Sequence, residues 1–378
     1  MDRAPIYILG VGNLGKLVAY YLRKQSPTTP VTLLFHRDGL LSDWAAAGQA
    51  IECATPGNGA ADRRTGFVVE APSHRAPAPG APAPLPPIKN LVVATKTYMT
   101  AAALRPLEHR LGRDSNVLLL QNGMGTAEEL SATLFTDRAS RPAYWAGISS
   151  AGVYGTGPFS IVHAGRGPLT IGRVLVDDND DESDSGEQQQ QQQQQRHDAP
   201  GTMIQRLLEA RDLEAALATP QRLRAAQLRK LMANATINPL TAVFGCRNRD
   251  VFATPARLEL LRLLVAETGP VVRALLGGGG GPDDNNHDGE FSDERLLAAA
   301  LLVAERTGGN VSSMLQDARA GRETEVDYIN GYVASRAAAL GLPAPRNAAL
   351  VAMVKRRETA TEDEVIERFT RAGLASAS

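Results

Sequence analysis

The stretch Ile6-Tyr-Ile-Leu9-Gly10-Val-Gly12-Asn-Leu-Gly15 decides how the first half of the chain is read. Ile6–Leu9 reads as a short buried strand, and a helical pattern runs from about Lys16 to Lys24. Between them lies Gly-x-Gly-x-x-Gly. Strand, glycine turn, helix is the context that the dinucleotide fingerprint requires; the same glycines without it would be a weak signal. The glycines permit a tight turn, close approach to a pyrophosphate and close helix packing. The helix start supplies N–H groups and a positive dipole end for phosphate. Gly10, Val11, Gly12, Asn13, Leu14 and Gly15 are therefore candidate cofactor-binding residues.

A second strand, Val31–Phe35, ends at His36-Arg37-Asp38. This is the position, about 20 residues past the glycines, where ribose specificity is set. Arg37 stands first and favours the 2′-phosphate of NADP. Asp38 beside it leaves NAD open, and a plain solvated charge is the simpler reading of Arg37. Strand Leu91–Ala94 ends in Thr95-Lys96-Thr97, and Val117–Leu120 ends in Gln121-Asn122-Gly123-Met124-Gly125-Thr126. In an open parallel sheet the carboxyl ends of the strands lie along one edge, where ligands bind. Gly10, Arg37, Lys96 and Asn122 each follow such an end and should converge. Taken singly, Lys96 reads as a surface lysine and Asn122-Gly123 as a turn. Strand-like runs at Tyr144–Ile148, Ser160–His163 and Leu169–Ile171 are expected to extend the sheet. His163 is expected to be structural, with a backbone partner for its imidazole.

From Thr202 onward the pattern is helical, with apolar periodicity through Met203–Leu217, Gln221–Phe244, Pro255–Leu276, Asp293–Arg306, Tyr328–Leu340, Ala348–Lys355 and Glu362–Thr370. The second of these contains Lys230-Leu-Met-Ala-Asn234-Ala-Thr-Ile-Asn238-Pro239-Leu-Thr241. Lys230, Asn234 and Asn238 are four residues apart, which puts them on one slowly turning stripe. Leu231, Met232, Ile237 and Leu240 around them read as core. A polar stripe among core residues is either a solvated face or a row facing a cleft, with the lysine as proton donor; burial without partners would be costly. Further on, Gly321 should break a helix. Thr324 should cap the next with Asp327 three residues on, placing Glu325 in the first turn. On spacing alone, Glu325 is a helix-start residue and Ser313 a cap.

The composition is globular, 43% hydrophobic and 21% charged, and the chain is long enough at 378 residues for two domains. The formal net charge of −1 speaks against a nucleic-acid or anionic-membrane surface. Cys53 and Cys246 are the only cysteines, in no ligand spacing, so no disulfide scaffold and no metal site are expected. No apolar run reaches membrane length. Strand pattern by Ile6 leaves no room for a presequence. A cytoplasmic protein is expected, with a mitochondrial one left open. The fold class that follows is α/β, an N-terminal Rossmann-type domain followed by an all-α C-terminal domain. Expected bounds are 1–176, with a Pro/Ala-rich surface insertion at 71–89, and 202–378, with a glycine-rich loop at 277–290. Between them, 177–201 is acidic and carries eight glutamines, Gln188 to Gln195, and reads as disordered.

Taken together, Gly10-Val-Gly-Asn-Leu-Gly15, Lys96, Asn122-Gly-Met-Gly-Thr126, the block Lys230 to Thr241, Asn248, Ser312-Ser-Met-Leu-Gln-Asp317 and Glu325-Val-Asp-Tyr-Ile-Asn-Gly331 resemble the 2-dehydropantoate 2-reductase (ketopantoate reductase) family. The resemblance covers the chain apart from its three insertions and departs at no catalytic position. It implies NADPH-dependent reduction of ketopantoate to pantoate, on the route to pantothenate and coenzyme A. It implies Lys230 as general acid and Glu325 as the residue that holds the substrate hydroxyl and interacts with the lysine. Asn122, Asn234, Asn238, Asn248 and Ser313 would orient the substrate. Lys96, Asn122 and Glu325 would lie by the cofactor, and Arg37 by its 2′-phosphate. A monomer or homodimer fits this picture. Two other readings stay open: a reductase of another small 2-oxo acid, and a non-catalytic relative serving as scaffold or regulator.

Overall fold

The structure, a computed structural model, describes residues 4–57, 60–71, 85–176, 201–277 and 287–375. The chain divides into two compact units, residues 1–121 with 126–223, and residues 122–125 with 224–378.

The first unit is built on strands β1 (Ile6–Leu9), β2 (Val31–Leu34), β5 (Val68–Glu70), β6 (Asn90–Val93), β7 (Asn116–Leu119), β8 (Ala143–Ser149), β11 (Leu169–Arg173) and β12 (Ala215–Ala218). They form one sheet in the order β12-β11-β8-β7-β6-β1-β2-β5. Every pairing in it is parallel except β8 with β11. Both faces are covered, and the alternation along β1 shows how. Ile6 and Ile8 join a core with Val31, Leu33, Val92, Leu118 and helix residues Leu17 and Val18. Tyr7 and Leu9 join another with Leu34, Leu91, Val93, Val117 and Leu119. Successive side chains of a strand point to opposite faces, so a strand buried on both sides must be apolar at every position. Helix α1 (Asn13–Gln25) begins three residues before the expected Lys16.

Three expectations change here. Ser160–His163 does not extend the main sheet. As β10 (Ser160–Gly165) it pairs with β9 (Gly152–Gly157) and β3 (Ile51–Ala54) in a separate four-stranded sheet completed by β4 (Asp62–Arg64). A tight hairpin, Ser160 opposite Gly157, decides that partnership. The helix read over Met203–Leu217 stops at Glu209, and Glu214 takes a left-handed φ of 48°. The chain then enters β12, paired in parallel with β11. Ala215-Ala-Leu-Ala218 has helical propensity, but the open edge of β11 offers a row of unmet backbone partners. The first unit consequently runs to Leu223 rather than ending before the 177–201 segment.

The expected insertions fall largely outside the described residues: 72–84 of the Pro/Ala stretch, 177–200 of the acidic and glutamine stretch, and 278–286 of the glycine-rich loop. Their margins differ from a plain surface loop. Ala71 and Ile88 are fully buried, and His287–Glu290 forms a helical turn.

The second unit is all helical among the described residues. We number its helices α6 (Pro220–Phe244), α7 (Pro255–Leu275), α8 (His287–Glu290), α9 (Asp293–Arg306), α10 (Ser313–Arg319), α11 (Val326–Ala339), α12 (Pro345–Lys355) and α13 (Glu362–Ala375). In the first unit, α2 is Gly39–Ala46, α3 Thr100–Leu104, α4 Thr126–Thr133 and α5 Thr202–Glu209. Leu228, Leu231, Met232, Ala235, Leu240 and Val243 of α6 are buried against α7, α11 and α12 residues such as Leu264, Val333 and Leu350. Burying each large aliphatic side chain contributes about 2 kcal/mol. No helix among the described residues is long and apolar enough to cross a membrane.

The glycine turn gives a direct test of this packing. A Cβ on Gly15 would lie 2.0 Å from the Gly10 carbonyl oxygen, while one on Gly12 would meet no atom within 4 Å. Gly15→Ala should therefore lower unfolding stability by roughly 1–3 kcal/mol, the usual cost of overpacking. Gly12→Ala should stay within about 0.5 kcal/mol of the natural chain in the same urea titration.

Candidate functional site

In the first unit the glycine turn is closed on itself below and open above. Gly10 has φ of 94°, and a Cβ there would sit 2.5 Å from the Thr95 amide nitrogen, so β1 and β6 end in contact. At Gly12, the N-cap of α1, nothing among the described residues crowds the backbone or caps the helix with a side chain, and no acid sits in its first turn. A helix start left bare in this way suits an anion. Gly10, Val11, Gly12, Asn13, Leu14 and Gly15 can therefore hold a pyrophosphate. Arg37 is exposed just past β2, and Asp38 follows as the residue that begins α2. Lys96 follows β6, and its carbonyl accepts from the Thr100 hydroxyl at 3.2 Å and the Met99 amide at 3.0 Å.

Two residues that the sequence did not single out shape this edge. Gln121 donates to Thr100 Oγ1 at 3.0 Å, and Thr100 Oγ1 lies 2.9 Å from Thr95 Oγ1, which ties the ends of β6 and β7 together. Lys16, almost fully buried, donates to the Pro158 and Gly157 carbonyls at 3.1 and 3.4 Å and pins the β9–β10 hairpin to α1. Burial pushes its ammonium below the usual lysine range. His163 is buried with Nδ1 2.8 Å from the Tyr21 hydroxyl, a side-chain partner beside the Gly165 backbone.

The second unit carries the polar row. Lys230, Asn234 and Asn238 project from α6 and are each partly buried, while Leu231, Met232, Ala235 and Ile237 between them are buried. Residues 122–125, though they follow β7, belong to this unit. Gly123 (φ of 84°) lies so close to Tyr328 that a Cβ would come within 2.4 Å of its carbonyl oxygen. The Met124 amide donates to that same carbonyl at 2.9 Å. This docking sets Asn122 so that its Nδ2 donates to Glu325 Oε2 at 3.2 Å. Glu325 is buried and stands at the N-cap of α11, one residue earlier than expected, because the helix begins at Val326.

Ser312, not Ser313, caps α10: its hydroxyl accepts from the Leu315 amide at 3.1 Å. Ser312 Oγ also lies 2.6 Å from Thr241 Oγ1, and Thr241 donates to the Asn238 carbonyl at 2.7 Å. The start of α10, with Ser313 exposed on it, is thereby fastened to the end of the polar row. Asn248 stands apart: its Nδ2 donates to Thr307 Oγ1 at 2.8 Å, its amide to the Asn310 carbonyl, and its buried Oδ1 has no hydrogen-bond partner among the described residues. With its nitrogens bonded to Thr307 and Asn310, Asn248 has Oδ1 left to offer a ligand.

The electrostatics centre on Lys230. Desolvation lowers its pKa from the ordinary 10.5 to about 8, against the opposing pull of the Glu325 charge. An ammonium with this value remains mostly charged at pH 7 yet releases its proton more readily than a solvated lysine. The row thus offers a cation and two amides to developing negative charge. Among the described residues no group of three His, Cys, Asp or Glu could hold a metal. A separate groove of about 440 Å³, lined by Leu263, Pro270, Leu342, Arg346 and Leu374, contains none of these residues.

Sequence comparison matches residues 6–175 to the family described as ketopantoate reductase PanE/ApbA, and residues 222–358 to its C-terminal counterpart. The chain belongs to the ketopantoate reductase family. Similar proteins include a probable 2-dehydropantoate 2-reductase of Schizosaccharomyces pombe, 29% identical over 93% of this chain and 96% of that one. A 2-dehydropantoate 2-reductase of Saccharomyces cerevisiae is 29% identical over 90% of each chain. Ketoisovalerate reductase BEA2 of Gibberella intermedia is 28% identical over 72% of this chain and 69% of that one. Among solved structures, a probable 2-dehydropantoate 2-reductase of Bacillus subtilis has a TM-score of 0.64 at 26% identity, covering 94% of this chain and all (100%) of that one. D-mandelate dehydrogenase, in a ternary structure with NADH and anilino(oxo)acetate, shares the fold at a TM-score of 0.69 and 18% identity, covering 96% of this chain and 99% of that one.

The lowered Lys230 pKa has a consequence for stability with a definite sign. Between the folded value of about 8 and the unfolded value of 10.5, the unfolded chain binds more protons, so stability rises with pH there. Below that window the charged lysine burdens the folded state in full. Lys230→Met should raise the urea midpoint at pH 7, and that gain should shrink as pH rises through 8 toward 10. A midpoint unchanged or lowered at pH 7 would show that desolvation does not dominate at this position.

Proposed function

We propose that this chain is an NADPH-dependent oxidoreductase that reduces 2-dehydropantoate to pantoate, on the route to pantothenate and coenzyme A. The observation that carries the reading is the desolvated Lys230 ammonium on one helix with Asn234 and Asn238, opposed by the buried Glu325 that Asn122 holds. Reduction of a ketone builds negative charge on its oxygen, and that charge calls for a proton and preorganised donors. Bound NADPH supplies a hydride to the keto carbon. Lys230 gives its proton to the keto oxygen, which becomes the C2 hydroxyl, and is reprotonated from solvent afterwards. Asn234 and Asn238 orient the keto acid. Ser313, at the start of α10, takes the carboxylate, where helix dipole and N–H groups favour an anion. Glu325 accepts the substrate hydroxyl and keeps the lysine charged. Asn248 offers Oδ1 to the same substrate. The glycine turn from Gly10 to Gly15 holds the pyrophosphate, Arg37 the 2′-phosphate, and Lys96 the neighbourhood of the nicotinamide. The free Cys53 and Cys246 suit a reducing cytosol.

A second reading is a reductase of another branched 2-oxo acid. The similarity to ketoisovalerate reductase BEA2 favours it, since ketoisovalerate lacks the hydroxymethyl group of ketopantoate, whose hydroxyl Glu325 would bind. NADPH oxidation measured with ketopantoate, ketoisovalerate and unbranched 2-oxo acids separates the two. A kcat/KM for ketopantoate no better than for ketoisovalerate would move the assignment to the second.

Lys230→Ala should lower kcat roughly 10²–10⁴-fold, the range for loss of a general acid, with NADPH affinity nearly unchanged. In the natural enzyme kcat should fall as pH passes about 8, where the donor loses its proton. Glu325 raises that value, so Glu325→Gln should move the falling limb to lower pH. Equal loss of cofactor affinity in Lys230→Ala would remove the proton-donor role.

Arg37→Ala should weaken NADPH roughly tenfold or more while leaving NADH within about twofold, since one charged phosphate contact is worth 1–3 kcal/mol. Fluorescence titration with both nucleotides reads the ratio directly, and an unchanged ratio would take Arg37 out of the site.

A further inference from the structure

α6 contains a proline where the polar row ends. Pro239 has no amide hydrogen, so the Ala235 carbonyl four residues back lacks the donor that closes an ordinary helical turn. That carbonyl lies between Asn234 and Asn238, and Ala235 is buried. An orphaned buried carbonyl is costly unless another donor reaches it. One does. Asn330 Nδ2, fully buried in the second turn of α11, donates to the Ala235 carbonyl at 2.9 Å.

The orientation of that amide is fixed by a chain of bonds ending on a carboxylate. Asn330 Nδ2 also donates to Asn347 Oδ1 at 3.0 Å. Asn347 can accept there because its own Nδ2 points the other way, donating to Glu267 Oε1 at 3.0 Å and Thr268 Oγ1 at 3.1 Å. Glu267 Oε1 takes the Asn347 amide at 2.8 Å, and Oε2 takes the Arg346 amide at 3.1 Å and its guanidinium at 3.3 Å. A carboxylate only accepts, so Asn347 must present nitrogen to it and oxygen to Asn330. Asn330 must then present nitrogen to both Asn347 and α6. Its Oδ1 finds no hydrogen-bond partner among the described residues.

We propose that Asn330 is a positioning residue for the row Lys230, Asn234 and Asn238. By taking the carbonyl that Pro239 leaves without a donor, it holds the turn of α6 that sets Asn238 relative to the other two. The inference rests on the reductase reading for its catalytic consequence. Its structural half stands on the bonds alone. The burial of Asn330 and Asn347, both wholly enclosed, keeps water from substituting for the missing donor.

The test is a cycle of Asn330→Leu, Pro239→Ala and the double variant, with unfolding stability, NADPH Kd and keto-acid KM and kcat measured for each. Asn330→Leu should lose stability and raise keto-acid KM roughly tenfold or more, as misplacement of an orienting group does, with NADPH Kd unchanged. Adding Pro239→Ala gives the carbonyl an amide hydrogen again. The double variant should therefore be more stable than the two single effects summed, while KM stays raised because the turn has lost its pitch. Additive stability effects would overturn the pairing of Asn330 with Pro239. Recovery of KM together with stability would overturn the positioning role and leave a structural bond only. Should Asn330→Leu fail to fold, the double variant, in which the carbonyl regains an amide donor, decides: folded with raised KM supports the proposal, and a natural KM overturns it. A natural chain inactive on every 2-oxo acid would instead defeat the reductase reading, and the stability cycle, which needs no substrate, would still decide the pairing.

Discussion

A positive charge has to be kept where water is scarce. Lys230 stands on a helix whose neighbouring side chains form the centre of the second unit's core, and desolvation pulls its pKa to about 8. Burial without a counter-charge would favour the neutral amine still more. The opposing carboxylate of Glu325 holds it charged. Glu325 in turn is buried and takes a hydrogen bond from Asn122. Each of these groups is costly to bury, and their mutual attraction offsets only part of that cost.

The same logic explains the short segment 122–125. It leaves the strand β7 of one unit and is counted with the helices of the other, because Met124 enters their core and its amide closes on Tyr328. A glycine is required at 123 because the backbone of α11 occupies the space a side chain would need. Asn122 is thus delivered to Glu325 by backbone docking, not by its own flexibility. At the other end of the row, Ser312 and Thr241 join the start of α10 to the Asn238 carbonyl. The candidate site is positioned by bonds to main-chain groups at both ends, which is what precise placement of small polar side chains needs.

Much of this was legible in the chain itself. Ile6–Leu9 with the glycines after it specified strand, turn and helix, since an apolar run of that length followed by three spaced glycines has few other stable uses. The helices from Gln221 onward follow their apolar period closely, Asp293–Arg306 to the residue. Local propensity failed at Ala215–Ala218, where an open sheet edge outbid a helical sequence, and at Ser160–His163, where a hairpin chose a different sheet. Glu325 was displaced by one position because the cap of a helix depends on where its first amide is satisfied, which spacing alone cannot say. Gln121 and Lys16 gave no signal, and Asn330, though inside the Glu325–Gly331 motif, gave no sign of its role, because their partners are carbonyls and hydroxyls far away in sequence.

By itself, the sequence determined the alternation of elements, the spacing that puts Lys230, Asn234 and Asn238 on one helical stripe, and the family to which these motifs belong. Those properties are local, carried by neighbours within a turn or a strand. Tertiary structure alone decided that Lys230 is desolvated, that Glu325 opposes it with Asn122 as support, and that Asn330 answers the carbonyl Pro239 leaves open. Burial and hydrogen bonding depend on which distant groups share a space, and no periodicity along the chain encodes that.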